Sequence, residues 1–120
     1  MNTTTIQTDS GSTVARRVAV AATFLERLVG LLAHRRLDYD AGLLFRTGGS
    51  VHTIGLRFAI DVVFLDAKMR IRKIAAEVQP WRVALSPPQT RCVLELAAGR
   101  AAAINLIVGM RLVEHDGTRS

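Results

Sequence analysis

One segment constrains this chain more than any other: residues 50–66, SVHTIGLRFAIDVVFLD, which form an apolar run that contains an aspartate. From Leu56 onward, apolar side chains fall on both faces of an extended chain, which predicts a strand covered on both sides. Asp61 lies in the middle of this run. An ionised carboxylate in such a setting is costly unless a cation or several hydrogen-bond donors satisfy it. We therefore expect Asp61 to be buried with a partner, and an arginine guanidinium is the leading candidate.

The length of 120 residues suffices for one hydrophobic core and is too short for two. A hydrophobic content of 49% excludes disorder for the body of the chain. Residues 1–13 are rich in Thr and Ser without an apolar period, which predicts a mobile tail. We expect a single β-rich domain over residues 14–116 and a second short tail over residues 117–120.

Nothing in the chain predicts export or a membrane partner. The longest apolar run, residues 101–110, is interrupted by Asn105 and Gly109 and has about half the length that crosses a bilayer. The N-terminus lacks the basic and apolar regions of a secretory signal. The single cysteine, Cys92, cannot form an internal disulfide, which fits a reducing compartment. We expect a cytoplasmic protein that does not interact with membranes.

Local patterns predict a mainly β fold with two helical pieces. The capping box T-F-L-E, which begins at Thr23, starts an amphipathic helix over residues 24–34. A short helix is expected within residues 99–106. Residues 79–90 hold all three prolines and the only tryptophan, so they are expected to form a loop in which Trp81 caps the end of the core. The fold class is a compact β-sandwich or distorted barrel, with the short N-terminal helix packed on it and the other near the C-terminus.

Five blocks of the chain resemble a known family. They are RLVGLL (27–32), GLLF (42–45), HTIGLRFAIDVVF (52–64), VLELAAG (93–99) and GM (109–110). Their order and spacing are similar to those of the bacterial and archaeal family known as domain of unknown function 192. The resemblance implies a compact, mostly β domain with a short N-terminal helix and no established activity. Two positions depart from the family: many members have proline at Ala59, and its closing aspartate is Met110 here.

Two carboxylates set in apolar strands, Asp61 and Glu95, are the leading candidates for a site. Perturbed carboxylates serve acid or base chemistry, but structural ion pairs produce the same pattern. The guanidinium partner is expected to be Arg27 or Arg57. Because Arg57 and Asp61 are four residues apart on one strand, about 13 Å by strand rise, Arg27 is the better candidate. His52 faces the other side of an unbroken strand from Asp61, unless a bulge at Gly55 turns it.

Other chemistry has little support in the sequence. The histidines His34, His52 and His115 are scattered, without the short spacing of a metal site. No nucleophile motif surrounds Cys92, and a strand cysteine is usually a small hydrophobe. There is no Walker loop and no GxGxxG turn. We expect neither a metal nor a cofactor.

Three functions remain open. The first is a binding or accessory module that recognises a polar ligand near Arg27, His52, Arg57 and Asp61. The second is an enzyme with Asp61 or Glu95 as general acid or base, which requires His52 within reach of a carboxylate in a pocket. The third is weak polyanion binding, since the net charge is +6, with nucleic acid as the partner. The basic residues for that contact are Arg35, Arg36, Arg70, Arg72 and Lys73.

Overall fold

A curled, seven-stranded sheet dominates the structure, a computed structural model that describes residues 2–21 and 37–116. The predicted helix over residues 24–34, and with it Arg27, lies outside the described residues. In chain order, the described elements are β1 (Asn2–Thr8), β2 (Thr13–Ala21), β3 (Ala41–Phe45), β4 (Val51–His52), β5 (Ile60–Leu65), β6 (Ile71–Val78), β7 (Val83–Ala84), β8 (Cys92–Ala97), α1 (Arg100–Ala103) and β9 (Leu112–Asp116).

The strand order of the large sheet is β6-β5-β8-β3-β2-β1-β9, and β4 and β7 form a separate two-stranded ribbon. Every neighbouring pair in the large sheet is antiparallel except β2 and β3, which are parallel. β5 and β6 form an antiparallel hairpin, and β6 is an edge strand of the sheet that carries charged residues.

The two edges of the large sheet meet at one end. Arg70, just before β6, forms an antiparallel bridge with Arg111, just before β9. Next to it, the N–H of Ile71 donates to the carbonyl of Met110 at 2.8 Å, and the N–H of Leu112 donates to the carbonyl of Met69 at 2.8 Å. The sheet is therefore a partly closed barrel, which fits the predicted barrel class and reduces the exposed edge.

Hydrophobic residues fill both faces of the sheet, as the two-sided pattern of residues 56–65 predicts. The cluster on one face takes side chains from all seven strands, so it is the interior of the curled sheet: Ile6, Val18, Leu44, Val63, Ile71, Leu94 and Leu112 are members. The cluster on the opposite face contains Ile60, Val62 and Phe64 of β5. Val51 of β4 and Ala84 of β7 pack there, so the small ribbon covers this outer face.

The prediction of a mobile N-terminal tail is wrong for residues 2–8. They form β1, which pairs with both β2 and β9. Thr4, Ile6 and Thr8 are buried at alternate positions, the period of a strand with one face on the core. Threonine and isoleucine favour strands, so the Thr-rich composition that indicated a tail also suits an inner strand of this sheet.

Two other expectations need correction. The strand predicted from Leu56 begins at Ile60, because residues 53–59 form turns and bends that lead from the small ribbon into the large sheet. Trp81 does not cap the core, since 66% of its surface is exposed. Among the described residues, one short helix, α1, lies within the range 99–106 in which a helix was expected.

Candidate functional site

Asp61 lies in β5 with 0% of its surface exposed, and three backbone N–H groups satisfy its carboxylate. Oδ1 accepts from Glu77 at 2.8 Å and from Gly99 at 3.1 Å, and Oδ2 accepts from Ala101 at 2.8 Å. Hydrogen bonds to an ionised acceptor are about twice as strong as neutral ones, so three of them offset much of the desolvation cost. Burial of Asp61 is thus confirmed.

The three N–H donors come from the start of α1 and from a bulge in β6, where backbone N–H groups lack a partner in regular secondary structure. Gly99 precedes α1 and has no side chain with which to cap it, while Ala101 lies in the first turn, where N–H groups lack intrahelical partners. Glu77 lies in a bulge, because β6 has one residue more than β5 between the pairs Ile60↔Val78 and Val62↔Ala75. Asp61 therefore joins a helix start and a bulge to the central strand β5.

The predicted guanidinium partner of Asp61 is wrong for the arginines that the structure describes. Arg57 is exposed, and no described arginine forms an ion pair with Asp61. Arg27 lies outside the described residues. Three backbone N–H groups, which the sheet and α1 bring together, satisfy the carboxylate by hydrogen bonds instead, and the spacing along one strand does not predict them.

Glu95, the second predicted carboxylate, is also 0% exposed but lies on the other face of the sheet. Cross-strand partners share a face. Glu95 pairs with Val62 and with Leu43, both members of the outer cluster, whereas Asp61 pairs with Leu96 of the interior cluster. The two carboxylates are therefore not brought together, and neither is accessible to a substrate in this structure.

His52 lies in β4, in the small ribbon, and is half-buried opposite Val83. The prediction of one unbroken strand from His52 to Asp61 is wrong: Gly55 has a φ of 86° in a turn, and the chain leaves one sheet for the other there. Of the predicted site residues, the structure therefore places His52 in the ribbon, Arg57 at the surface, and Asp61 and Glu95 on opposite faces of the large sheet.

Thr53, next to His52, has a role that sequence reasoning missed. It is 0% exposed and holds the turn of residues 79–82 by both its backbone and its hydroxyl. Oγ1 donates to the carbonyl of Gln79 at 2.7 Å and accepts from the N–H of Arg82 at 2.8 Å. The backbone of Thr53 adds bonds with Trp81 at 3.1 Å and with Arg82 at 2.9 Å. We call this arrangement the Thr53 clamp.

A basic depression lies where the β5–β6 turn meets the chain before β8. Its lining residues are Asp66, Ala67, Lys68, Arg70, Gln89 and Arg91. The only carboxylate among them, Asp66, uses Oδ1 to accept the N–H groups of Lys68 at 2.9 Å and Arg70 at 3.0 Å. The backbone bond from Arg70 contributes most to holding the pKa of Asp66 below its ordinary value. Desolvation opposes it, while the bond from Lys68 and the charges of Arg72 and Arg70 add to the lowering.

The cations of this depression are not paired with carboxylates. Within the described chain, none of Lys68, Arg70 and Arg91 forms an ion pair, and the guanidinium of Arg70 makes a 3.4 Å contact with the carbonyl of Gly109. By contrast, Arg46 is paired with Glu114 at 2.7 Å, and this hydrogen bond raises the pKa of Arg46. The depression thus presents three cationic side chains that remain able to bind an anion.

Other candidate chemistry finds less support. Burial raises the pKa of the Cys92 thiol, the opposite of the shift that activates a nucleophile. Within residues 2–21 and 37–116, no group of three His, Cys, Asp or Glu side chains is arranged to hold a metal ion. None of the helical residues described here belongs to a helix with the length and hydropathy to cross a membrane.

The partly closed seven-stranded sheet, the buried carboxylate of β5 and the covering two-stranded ribbon define a class of small β proteins. The chain belongs to the DUF192 family, described as an uncharacterized ACR, whose sequence model matches residues 5–113. The resemblance found in the five sequence blocks is therefore confirmed.

Curated relatives and solved structures agree with this assignment. A UPF0127 protein of Pyrococcus furiosus is 29% identical over 105 residues, which cover 85% of this chain and 90% of the relative. A UPF0127 protein of Thermococcus sibiricus is 25% identical over 108 residues, covering 87% and 70%.

Two crystal structures share the fold. A protein of unknown function from Novosphingobium aromaticivorans has a TM-score of 0.80 and 24% identity, covering 92% of this chain and 83% of that one. A protein described as a "putative transcription regulator" from Sinorhizobium meliloti has a TM-score of 0.80 and 26% identity, covering 94% and 92%.

Proposed function

We propose that this protein is a binding module for an anionic ligand, with the basic depression as its site. The observation that carries the proposal is the engagement of Asp66 with its own turn, while Lys68, Arg70 and Arg91 form no ion pair with a described carboxylate. Guanidinium and ammonium groups that converge on one depression suit a phosphate or carboxylate group.

This proposal keeps the binding role that the sequence favours but moves the site from the region of Arg57 and Asp61 to the basic depression. The location near Arg57 and Asp61 loses its support because Asp61 is enclosed and bonded to backbone amides. General acid or base catalysis by Asp61 or Glu95 loses support for a related reason: both carboxylates are fully buried, and on opposite faces of the sheet.

The rigidity of the depression supports the same role. Lys68 and Arg70 follow Asp66 in a tight turn, which the N–H of Met69 closes by donating to the carbonyl of Asp66 at 3.0 Å. Arg91 is fixed beside them, since its N–H donates to the carbonyl of Leu65 at 2.7 Å. Because the backbone of all three cations is held in place, less ordering is needed when a ligand binds.

Titration with inorganic pyrophosphate at low salt tests the proposal. We expect amide chemical-shift changes centred on residues 66–70 and 89–91, together with a measurable Kd by calorimetry. Replacement of Arg70 by Gln removes one of three cations and should weaken binding roughly tenfold, about 1.4 kcal/mol.

The matched control is Arg16→Gln, which removes the same charge from an exposed position of β2 far along the chain from the depression. Binding that weakens equally in both variants would show only a response to net charge and would refute the proposed site. Shift changes centred elsewhere would refute it as well.

Nucleic-acid contact is a second candidate, favoured by the description of the Sinorhizobium meliloti protein and by the charge of +6. The described residues for it are Arg70, Arg72 and Lys73, although Nζ of Lys73 donates to the carbonyl of Leu85 at 2.8 Å. Arg35 and Arg36 lie outside the described residues. Binding of a random-sequence DNA duplex should weaken with salt by a slope of about 0.9 per phosphate contacted. Duplex binding without salt dependence, or none at low salt, would rule this candidate out.

A further inference from the structure

Four large apolar side chains stand exposed on the small ribbon and its flanks. They are Ile54 (47% exposed), Trp81 (66%), Val83 (59%) and Leu85 (66%). Val83 and Leu85 are exposed on either side of the buried Ala84 in and after β7, and Trp81 is exposed in the turn just before this strand. The bond from the N–H of Trp81 to the carbonyl of Thr53 places Ile54, the next residue, near Trp81. We call this set the Trp81 ridge.

The Thr53 clamp holds Trp81, the aromatic member of the ridge, in place. Trp81 has a φ of 64°, a left-handed conformation that is uncommon and strained for a bulky aromatic residue. The other side of this turn is fixed by the bonds of Thr53 to Gln79 and Arg82. A buried side chain and a strained turn therefore combine to keep an indole in solvent, against the tendency of tryptophan to be buried.

The surroundings of the ridge are cationic. Residues 50–59 and 79–92, which carry the ridge, contain Arg57, Arg82 and Arg91 and no Asp or Glu. Lys73 adds a fourth cation, since its Nζ donates to the carbonyl of Leu85. The carboxylate nearest in sequence to Trp81 is that of Glu77, which lies in β6. Glu77 is exposed, but the four cations outnumber it, so an apolar and negatively charged surface complements the ridge.

We propose that the Trp81 ridge docks this protein onto the surface of an anionic lipid bilayer. Tryptophan is enriched at the bilayer interface, where its ring is apolar and its N–H is hydrated. Basic residues beside it attract anionic headgroups at the surface. A ridge that projects four apolar side chains needs no complementary cavity in its partner, which suits a fluid bilayer better than a folded protein.

The proposed docking is peripheral, at the bilayer surface, whereas the sequence argues against a segment that crosses the bilayer. The expectation of no membrane partner rests on the absence of an apolar run long enough to span a bilayer. Shallow insertion of exposed side chains requires no such run, because their burial at the headgroup boundary and charge attraction together drive binding. The proposal is independent of anion binding in the basic depression, since the two surfaces share only Arg91.

Trp81 is the only tryptophan, so its emission reports on the ridge directly. The full chain is mixed with vesicles of phosphatidylcholine alone or of phosphatidylcholine with phosphatidylglycerol, and binding is measured by co-sedimentation. We expect binding to the phosphatidylglycerol vesicles with a blue shift of Trp81 emission, and quenching by lipids brominated on their acyl chains. Higher salt should weaken the binding, because dissolved ions screen the attraction between the cations around the ridge and the anionic headgroups.

Two double variants distinguish binding through the ridge from nonspecific hydrophobic binding. Val83→Ser with Leu85→Ser should lower the vesicle partition coefficient by about tenfold or more, because both side chains lose apolar groups that insertion would bury. The matched control is Ile107→Ser with Val108→Ser, which changes an equally exposed apolar pair (64% and 61%) in the turn before β9 and should leave binding unchanged. All four side chains are largely in solvent, so thermal unfolding should verify that both variants fold.

Three results would overturn the proposal. One is the absence of binding to phosphatidylglycerol vesicles at low salt. Another is binding without a blue shift of Trp81 emission, which would show that charge alone holds the protein through another face. The third is a blue shift that grows with protein concentration in the absence of vesicles, since that would assign the ridge to contact between copies of this chain.

Discussion

Asp61 and Thr53 are both fully buried polar side chains that hold irregular backbone, yet they support different parts of the molecule. Asp61 binds three amides inside the large sheet, and every group it organises is structural. Thr53 binds a turn whose outer side is the exposed Trp81 ridge. The comparison teaches that a buried polar residue in an apolar segment indicates irregular backbone whose N–H or carbonyl groups need a hydrogen-bond partner. Whether such a place has a function depends on which side chains the bonded backbone exposes to solvent.

The largest expected effect is at Asp61. Asp61→Ala leaves three buried N–H groups without an acceptor and should lower the free energy of unfolding by about 4 kcal/mol. Asp61→Asn keeps Oδ1 for Glu77 and Gly99 but sets an amide NH₂ against the N–H of Ala101, so a loss of about 2 kcal/mol is expected. Urea unfolding measures both. Equal losses in the two variants would show that packing, and not the set of hydrogen bonds, accounts for the role of Asp61.

A smaller effect is expected at Thr53. Thr53→Val keeps the shape but removes the hydroxyl that joins Gln79 and Arg82, so the free energy of unfolding should fall by about 1–2 kcal/mol. The turn should also loosen, and Trp81 should be more mobile, with lower fluorescence anisotropy.

Thr53→Ser is the control, since it retains the hydroxyl and loses one methyl group. It should keep the anisotropy of Trp81 near the wild-type value, although burial of less apolar surface costs about 1 kcal/mol. If the valine variant left the anisotropy unchanged, the Thr53 clamp would not position the ridge, and the contrast with Asp61 would disappear.

The smallest effect is expected at Asp66, a half-buried carboxylate that, like Asp61, binds backbone N–H groups. Because its folded pKa lies below the ordinary 3.8, the carboxylate stabilises the fold above that pH, and this contribution is lost as the pH falls through the lowered pKa. Wild type and Asp66→Asn should therefore differ in thermal stability at neutral pH and converge in acid below 3.8. A difference that persists in strong acid would contradict this charge-based role.

Much of the fold could be predicted where the signal is local. The alternation of apolar residues in β5 and the short helix after Gly99 are both found, because strand period and helix start depend on neighbours in the chain. β1 was missed because its Thr-rich residues carry a weak apolar signal, and their strand state depends on pairing with β2 and with β9 at the far end of the chain.

The candidate site was harder to predict because it depends on contacts between distant segments. The lining of the basic depression joins the turn at Lys68 to Arg91, and their shared position follows from the pairing of β5 with β8. Trp81 illustrates the same limit, since a lone tryptophan among prolines predicts a buried cap. Its exposure depends on the hydrogen bonds of Thr53, nearly thirty residues earlier.

The sequence by itself determined the family, the mainly β class and the burial of Asp61, because these depend on residue types and on their order along the chain. Only the tertiary structure decided what satisfies Asp61, which face each carboxylate occupies, and which cations and apolar side chains reach the surface together. The physical reason is that these features depend on contacts between segments far apart in the chain. Strand pairing brings those segments together, and the residues of one segment do not determine how it pairs with another.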